Sequence, residues 1–313
     1  MDPSKPDWER QAIIDLAASG LKEQRRARRW GIFFKLLGFA YLFVVLISFV
    51  GFNQVEFDAV NERHTALVDL VGVIAEGETS SADNVVAGLR DAFESEAAAA
   101  VILRINSPGG SPVQSAYIND EINRLRSIYP SKPIYAVIAD VCASGGFYVA
   151  VAADKIYVNE SSIVGSIGVR MDGFGFVDAI EKLGIERRLL TAGEHKALLD
   201  PFSAENTFEK AHVQNLLDEV HDKFITAVKH GRGDKLVDDP ALFSGLFWTG
   251  ERAITLGLAD ELGSAGYVAR EVVDAEKIID YTHKQDFFER FAGNLGSAMV
   301  NQLKLLVNRP YLQ

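Results

Sequence analysis

The stretch "ADVCASGGFYVAVAAD", Ala139–Asp154, decides how this chain is to be read. The run leading into it, "PIYAVIA" (Pro133–Ala139), is short, apolar and bounded by Pro133 and Asp140, so it reads as a buried strand. The small apolar residues after Ser144 read as a buried helix. Ser144 therefore falls at a strand-to-helix junction, where unpaired backbone N–H groups face outward and favour an anion. A serine there is either an N-cap or a nucleophile. The spacing is not that of a G-x-S-x-G elbow, because Cys142 stands two residues before Ser144. A nucleophile also needs a base and an oxyanion site, which other parts of the chain must supply.

Outward from this junction, strands and helices alternate. Strands are predicted at Thr65–Ala75, Ala99–Asn106, Pro133–Asp140 and Lys155–Asn159, and helices at Ser81–Ser95, Val113–Ile128 and in the Ser144 segment. Alternation of this kind implies a parallel α/β core, whose sites lie at the C-terminal ends of strands. Both "NSPGG" (Asn106–Gly110) and "ADVCASGG" occupy such ends. Residues 205–230 again look helical, and Gly250–Ser264 reads as a helix, a turn and a short strand. The segment Asp286–Val307 carries apolar residues near one helical face, which suits packing better than membrane contact.

The net charge of −11 argues against a nucleic-acid partner. Cys142 is the one cysteine, so no disulfide scaffold exists. There is no C-x-x-C, H-E-x-x-H or Walker loop, and His64, His195, His212, His221, His230 and His283 lack metal-ligand spacing; no metal or other cofactor is expected.

The strongest global signal is "GIFFKLLGFAYLFVVLISFVGF", Gly31–Phe52. As a helix it would span about 33 Å, enough for a bilayer core. Its one charge, Lys35, lies near one end, within reach of the interface. Lys22, Arg25, Arg26, Arg28 and Arg29 precede it and keep that end cytoplasmic. The stretch is long for a cleaved signal peptide and lacks a small-x-small cleavage site. The organisation expected is a cytoplasmic tail (1–30), a transmembrane anchor (31–52), a linker (53–64), a catalytic domain (65–275) beyond the membrane and an amphipathic tail (276–313).

Chemistry is harder to assign. His212, His221 and His230 sit on a stretch rich in Glu and Lys and read as solvated. His195 and its neighbour Lys196 share the loop "AGEHKALLDPFS" (Ala192–Ser203), and either is a candidate base; lysine serves as one when burial leaves it neutral. The turn at "NSPGG" leaves backbone N–H groups free, and with the N–H of Gly145 it offers two donors to an oxyanion.

Three segments, "RINSPGGSPVQSAYI", "VCASGGFYVAVAADKIYVNESSIVGSIGV" and "AGEHKALLDPFS", together resemble the bacterial signal peptide peptidase A family, and "WTGERAITLGLADELG" resembles its C-terminal signature. The resemblance covers roughly residues 65–275. It implies a Clp protease/crotonase-like α/β fold of repeated β-β-α units and a serine endopeptidase with a Ser-Lys dyad. Carried over position by position, Ser144 is the nucleophile, Lys196 the general base, Ser166 the serine that orients the lysine, and Gly110 and Gly145 the oxyanion-hole glycines. Two positions depart from common members: Cys142, often a smaller residue, and His195, often an aromatic. The resemblance further implies a single-pass protein of the bacterial inner membrane with its catalytic domain periplasmic. It also implies remnant signal peptides or other membrane-derived peptides as substrates, and a ring-like homo-oligomer whose lysine reaches a neighbour's serine. Two rivals share this fold: a crotonase-like acyl-CoA enzyme, and a catalytically silent membrane scaffold.

Overall fold

The computed structural model describes residues 20, 22–26, 28–45 and 62–283. The chain divides into two units, with the boundary at Glu62 and Arg63. In the first, residues 28–45 are helical and their side chains exposed. The expected anchor, 31–52, extends past them: residues 46–52 lie outside the described residues, as do residues 1–19 and most of the linker. Among the described residues no helix is long and apolar enough to cross a membrane. The amphipathic tail from residue 284 onward also lies outside the described residues.

The second unit is an α/β domain. Strands β1 (His64–Val71), β2 (Ala98–Ser107) and β3 (Ile134–Ala143) alternate with helices α1 (Ala82–Glu94), α2 (Pro112–Ile128) and α3 (Gly145–Ala150). They are followed by β4 (Lys155–Val158), β5 (Ile163–Gly165), α4 (Val177–Lys182), the long α5 (Thr207–Arg232), β6 (Phe247–Thr249), α6 (Gly250–Thr255), β7 (Glu261–Leu262), α7 (Ala265–Tyr267) and β8 (Ile278–Asp280). The sheet runs β6-β5-β3-β2-β1-β8, with β4 and β7 branching from β3. All pairings are parallel except that of β5 with β6.

Strands buried on both faces need apolar residues at every position, not at alternate ones. In β1 and β2 successive residues feed two cores. Val68, Leu70, Val101, Leu103 and Ile105 face α1–α3, where Leu89, Phe93, Ile118 and Ile122 cover them. Leu67, Ala100, Ile102, Val137 and Tyr157 face the opposite side, covered by Val268, Ala269 and Val273.

Two sequence expectations are corrected here. The first strand stops at Val71 because Gly72 turns to a φ of 92°; Ile74 then returns as a single bridge to Gly110. Helices α1, α2 and α3 each follow one long strand of the sheet. The sheet also runs past residue 275, since β8 pairs with β1 from Thr65 to Leu67. An edge strand of three residues is too short to carry a readable period.

The decisive feature is β3, which forks. Tyr135–Val137 pair with β4, whereas Val141–Ala143 pair with β5. Between the two halves the register with β2 slips: Ile105 faces Ile138, but Ser107 faces Cys142. Asn106 patches the slip, accepting from the Val141 N–H (3.1 Å) and donating to Asp140 Oδ2 (2.8 Å). A bulge of this sort bends a strand and re-aims the residues at its end, here Ser144.

Helix α5 is fixed at both ends. Asn206 caps it, accepting from the N–H groups of Phe208 and Glu209. At its C-terminus the buried Arg232 guanidinium donates to Asp260 at 2.8 Å and to the Gly257 carbonyl. Burial alone would raise the Asp260 carboxyl, but donors from Arg232, Lys235 and the Ile156 N–H outweigh it and hold the group down at about 2.

Candidate active site

Ser144 stands between β3 and α3 with φ 51° and ψ −122°, backbone space that a residue with a Cβ rarely enters. By position it is the N-cap of α3, yet its side chain makes no capping bond. The cap reading therefore fails, and the hydroxyl of this half-buried serine has no hydrogen-bond partner among the described residues. The residue is held by backbone alone: its N–H donates to the Gly165 carbonyl (2.8 Å), and its carbonyl accepts from the Tyr148 N–H (3.0 Å). Cys142 is the last-but-one residue of β3, fully buried in the core, and burial pushes its thiol up, away from reactivity.

The "NSPGG" turn meets Ser144 backbone to backbone. Ser107, buried, donates from Oγ to the Gly72 carbonyl (2.6 Å) and accepts from the Gly109 N–H (3.1 Å), so the turn is tied to the end of β1. A methyl group on Gly109 would lie 2.6 Å from the Gly145 nitrogen and 2.8 Å from the Ser144 Cβ. A methyl on Gly145 would lie 2.4 Å from Ser115 Oγ and 3.2 Å from the Gly110 nitrogen. Only glycines allow this approach, and it draws the N–H groups of Gly110 and Gly145 together beside Ser144. Neither N–H has a partner among the described residues. Ile74 explains why the Gly110 donor stays free: it bonds the Gly109 carbonyl (2.9 Å) and the Ser111 N–H (2.7 Å), the groups on either side.

Ser166 comes to the same place by register. Ala143 pairs with Gly165, so the next residues, Ser144 and Ser166, leave adjacent strands side by side. Ser166 also has a positive φ, 53°, and its N–H donates to the Leu246 carbonyl (2.7 Å). One cavity of about 890 Å³ is lined by Ser144, Ser166, Gly110 and Gly145, with Tyr148, Phe224 and Phe243 as apolar wall.

Lys196 is not brought to this cavity within the chain. It is exposed, on a loop that His195 ties to α5 through Glu209 (3.1 Å) while its ring stacks on Phe208. His195 does not line the cavity either. His221 does, which corrects its reading as a solvated residue: its Nε2 lies 3.2 Å from the Ile167 carbonyl. No periodic signal marks it in the sequence, because the face of α5 that carries it borders an open cavity instead of an apolar core. Among the described residues no group of His, Cys, Asp and Glu is arranged to hold a metal ion.

A strained serine with a free hydroxyl, beside two unpaired amides on an α/β sheet, has the geometry of an acyl-transfer site. Residues 128–278, which include Ser144, Ser166, Lys196 and His221, match peptidase family S49. That segment of the chain is similar to the S49 peptidases, in line with the resemblance to the signal peptide peptidase A group. A Brucella abortus protein named as a Na(+)/H(+) antiporter NhaA is 45% identical over 207 residues, 64% of this chain and 28% of that protein. Protease 4 of Haemophilus influenzae is 31% identical over 229 residues, 71% of this chain and 36% of its own length. The chloroplastic serine protease SPPA of Arabidopsis thaliana is 32% identical over 193 residues, 60% of this chain and 27% of its own. The chain spans only 28%, 36% and 27% of these three relatives, so their names speak for longer proteins.

Proposed function

We propose that the chain is a serine endopeptidase with a Ser144–Lys196 dyad on a Clp protease/crotonase-like fold. The observation that carries this reading is Ser144, strained, uncapped and faced by the free N–H groups of Gly110 and Gly145. Neutral Lys196 takes the Ser144 hydroxyl proton as Oγ attacks a peptide carbonyl. The two amides hold the oxyanion, and Lys196 passes the proton to the leaving amine. Water, deprotonated by the same lysine, then releases the acyl group. Ser166 accepts from the lysine and orients it. The aromatic wall of the cavity suits apolar side chains of a peptide bound in extended form.

The base comes from a neighbouring copy in a ring. The segment bearing Lys196 leaves Phe174, Leu183, Ile185 and Leu190 in water, an apolar load that favours self-association. Docking would also withdraw Lys196 from solvent, the condition under which a lysine acts as a base. Exposure of Lys196 in the single chain favours the rival reading, a silent scaffold, and one experiment separates the two. Inactive Ser144→Ala and Lys196→Ala proteins are mixed and allowed to exchange subunits. Random pairing restores one intact serine and lysine in about a quarter of sites, and activity should return to that order. No activity after exchange, verified with labelled subunits, would rule out a shared dyad.

Residues 31–52 anchor the enzyme in a bacterial inner membrane, with the catalytic domain periplasmic and remnant signal peptides as substrates. The support is the apolar run with Arg25, Arg26, Arg28 and Arg29 before it. A phosphatase fused after residue 283 should be active and a cytoplasmic reporter silent. The reverse pattern would overturn the topology and revive the acyl-CoA alternative.

A further inference from the structure

The turn that presents Ser166 is held at three points. The Gly165 carbonyl accepts from the Ser144 N–H (2.8 Å), and the Ser166 N–H donates to the Leu246 carbonyl (2.7 Å). The third point is the Ile167 carbonyl, 3.2 Å from Nε2 of His221. A carbonyl only accepts, so that nitrogen carries the proton and donates it. The first two bonds are made by backbone and survive any change of side chain. The third depends on one imidazole, carried by a helix anchored at its far end by Arg232 and Asp260.

The tether matters because Ser166 has a φ of 53°, a conformation a serine does not keep without being constrained on both sides. Ile167 is fully buried and fixes one side of the turn, and its carbonyl bonds a histidine that lines the same cavity as Ser166. No hydrogen bond joins His221 to Ser144, and the imidazole nitrogen that faces this turn is a donor, not a base.

We propose that His221 is a positioning residue: by holding the Ile167 carbonyl it fixes the direction of the Ser166 hydroxyl, and through it the amine of the catalytic lysine. The proposal rests on the dyad reading above. Loss of the imidazole leaves a carbonyl that cavity water satisfies, so the fold changes little. Water supplies a hydrogen bond but no fixed direction, and the cost falls on the chemical step.

The test uses the full chain in detergent with a fluorogenic peptide. His221→Leu should lower kcat roughly tenfold, leave KM within about twofold and hold the melting midpoint within about 2 °C. His221→Gln, whose side-chain amide donates from a similar reach, should recover kcat to within about threefold of the natural chain. Ser166→Ala combined with His221→Leu should be no slower than Ser166→Ala alone, because the tether then has nothing to aim. If His221→Leu does not fold, His221→Asn, polar but too short to reach Ile167, replaces it with the same expectations. Full kcat in His221→Leu, a change confined to KM, a Gln variant no better than Leu, or additive losses in the double variant would each overturn the proposal. Activity surviving in Ser144→Ala or Lys196→Ala would remove the dyad and this role with it. Full activity in His221→Leu while both of those are dead defeats this role alone.

Discussion

Ser144→Ala and Lys196→Ala should each abolish cleavage of casein or a reporter peptide, a loss on the order of 10⁴-fold or more. The size follows from the division of labour. Without the Ser144 oxygen there is no acyl-enzyme, and the two free amides beside it have no tetrahedral intermediate to hold. Without Lys196 the hydroxyl keeps its proton: His221 and Asp218 also line the cavity, but among the described residues they bond Ile167 and Gln214, and neither bonds Ser144. His195→Ala is the informative control. It removes a neighbour of Lys196 whose contacts, Glu209 and Phe208, lie away from the cavity, and it should retain most of the activity. A fluorophosphonate should label the natural chain and His195→Ala, and neither dead variant. A dead His195→Ala beside an active Lys196→Ala would show that the wrong residue of the pair has been taken as the base.

Gly110→Ala should lower kcat by roughly 10²- to 10³-fold, the usual loss of one oxyanion donor. The added methyl would stand 2.1 Å from the Ile74 carbonyl oxygen, at a φ of 153°. That carbonyl is bonded to the Ser111 N–H (2.7 Å) and cannot retreat without releasing the start of α2, so the turn must move instead. The Gly110 N–H is carried with it, away from Ser144. Gly266→Ala is the matched control: nothing lies within 4 Å of its methyl, and kcat should be unchanged. Near-natural turnover in Gly110→Ala, with the protein folded, would mean that this amide does not hold the oxyanion.

What the sequence made legible was the local and the periodic. The βα alternation from β1 to α3 could be read because each strand is a mostly apolar run and each helix starts at a serine or proline signal. Ser144 and the glycines around it stood out because small residues at a strand end have few other uses. The fork in β3 could not be read. It depends on Asn106 reaching across to the Val141 N–H from a neighbouring strand, a contact between residues 35 positions apart. His221 was hidden for a related reason, since a helix face turned to an open cavity has the composition of one turned to bulk solvent. The strand β8 was too short to announce itself. Lys196 was one of two candidate bases until the resemblance singled it out: its loop has the composition of an ordinary surface loop, and within one chain that is where it lies.

The forked strand has a consequence for when the proposed site comes into being. Ser144 is aimed by a bulge in β3, Gly110 is stationed by Ile74 beyond the end of β1, and Ser166 reaches its post only when β5 joins the outer half of β3. No single strand or turn of this chain carries the whole site. A half-folded molecule holds the ingredients of the proposed site but not its geometry, and the two amides face no serine until the last of those distant segments has closed on the others.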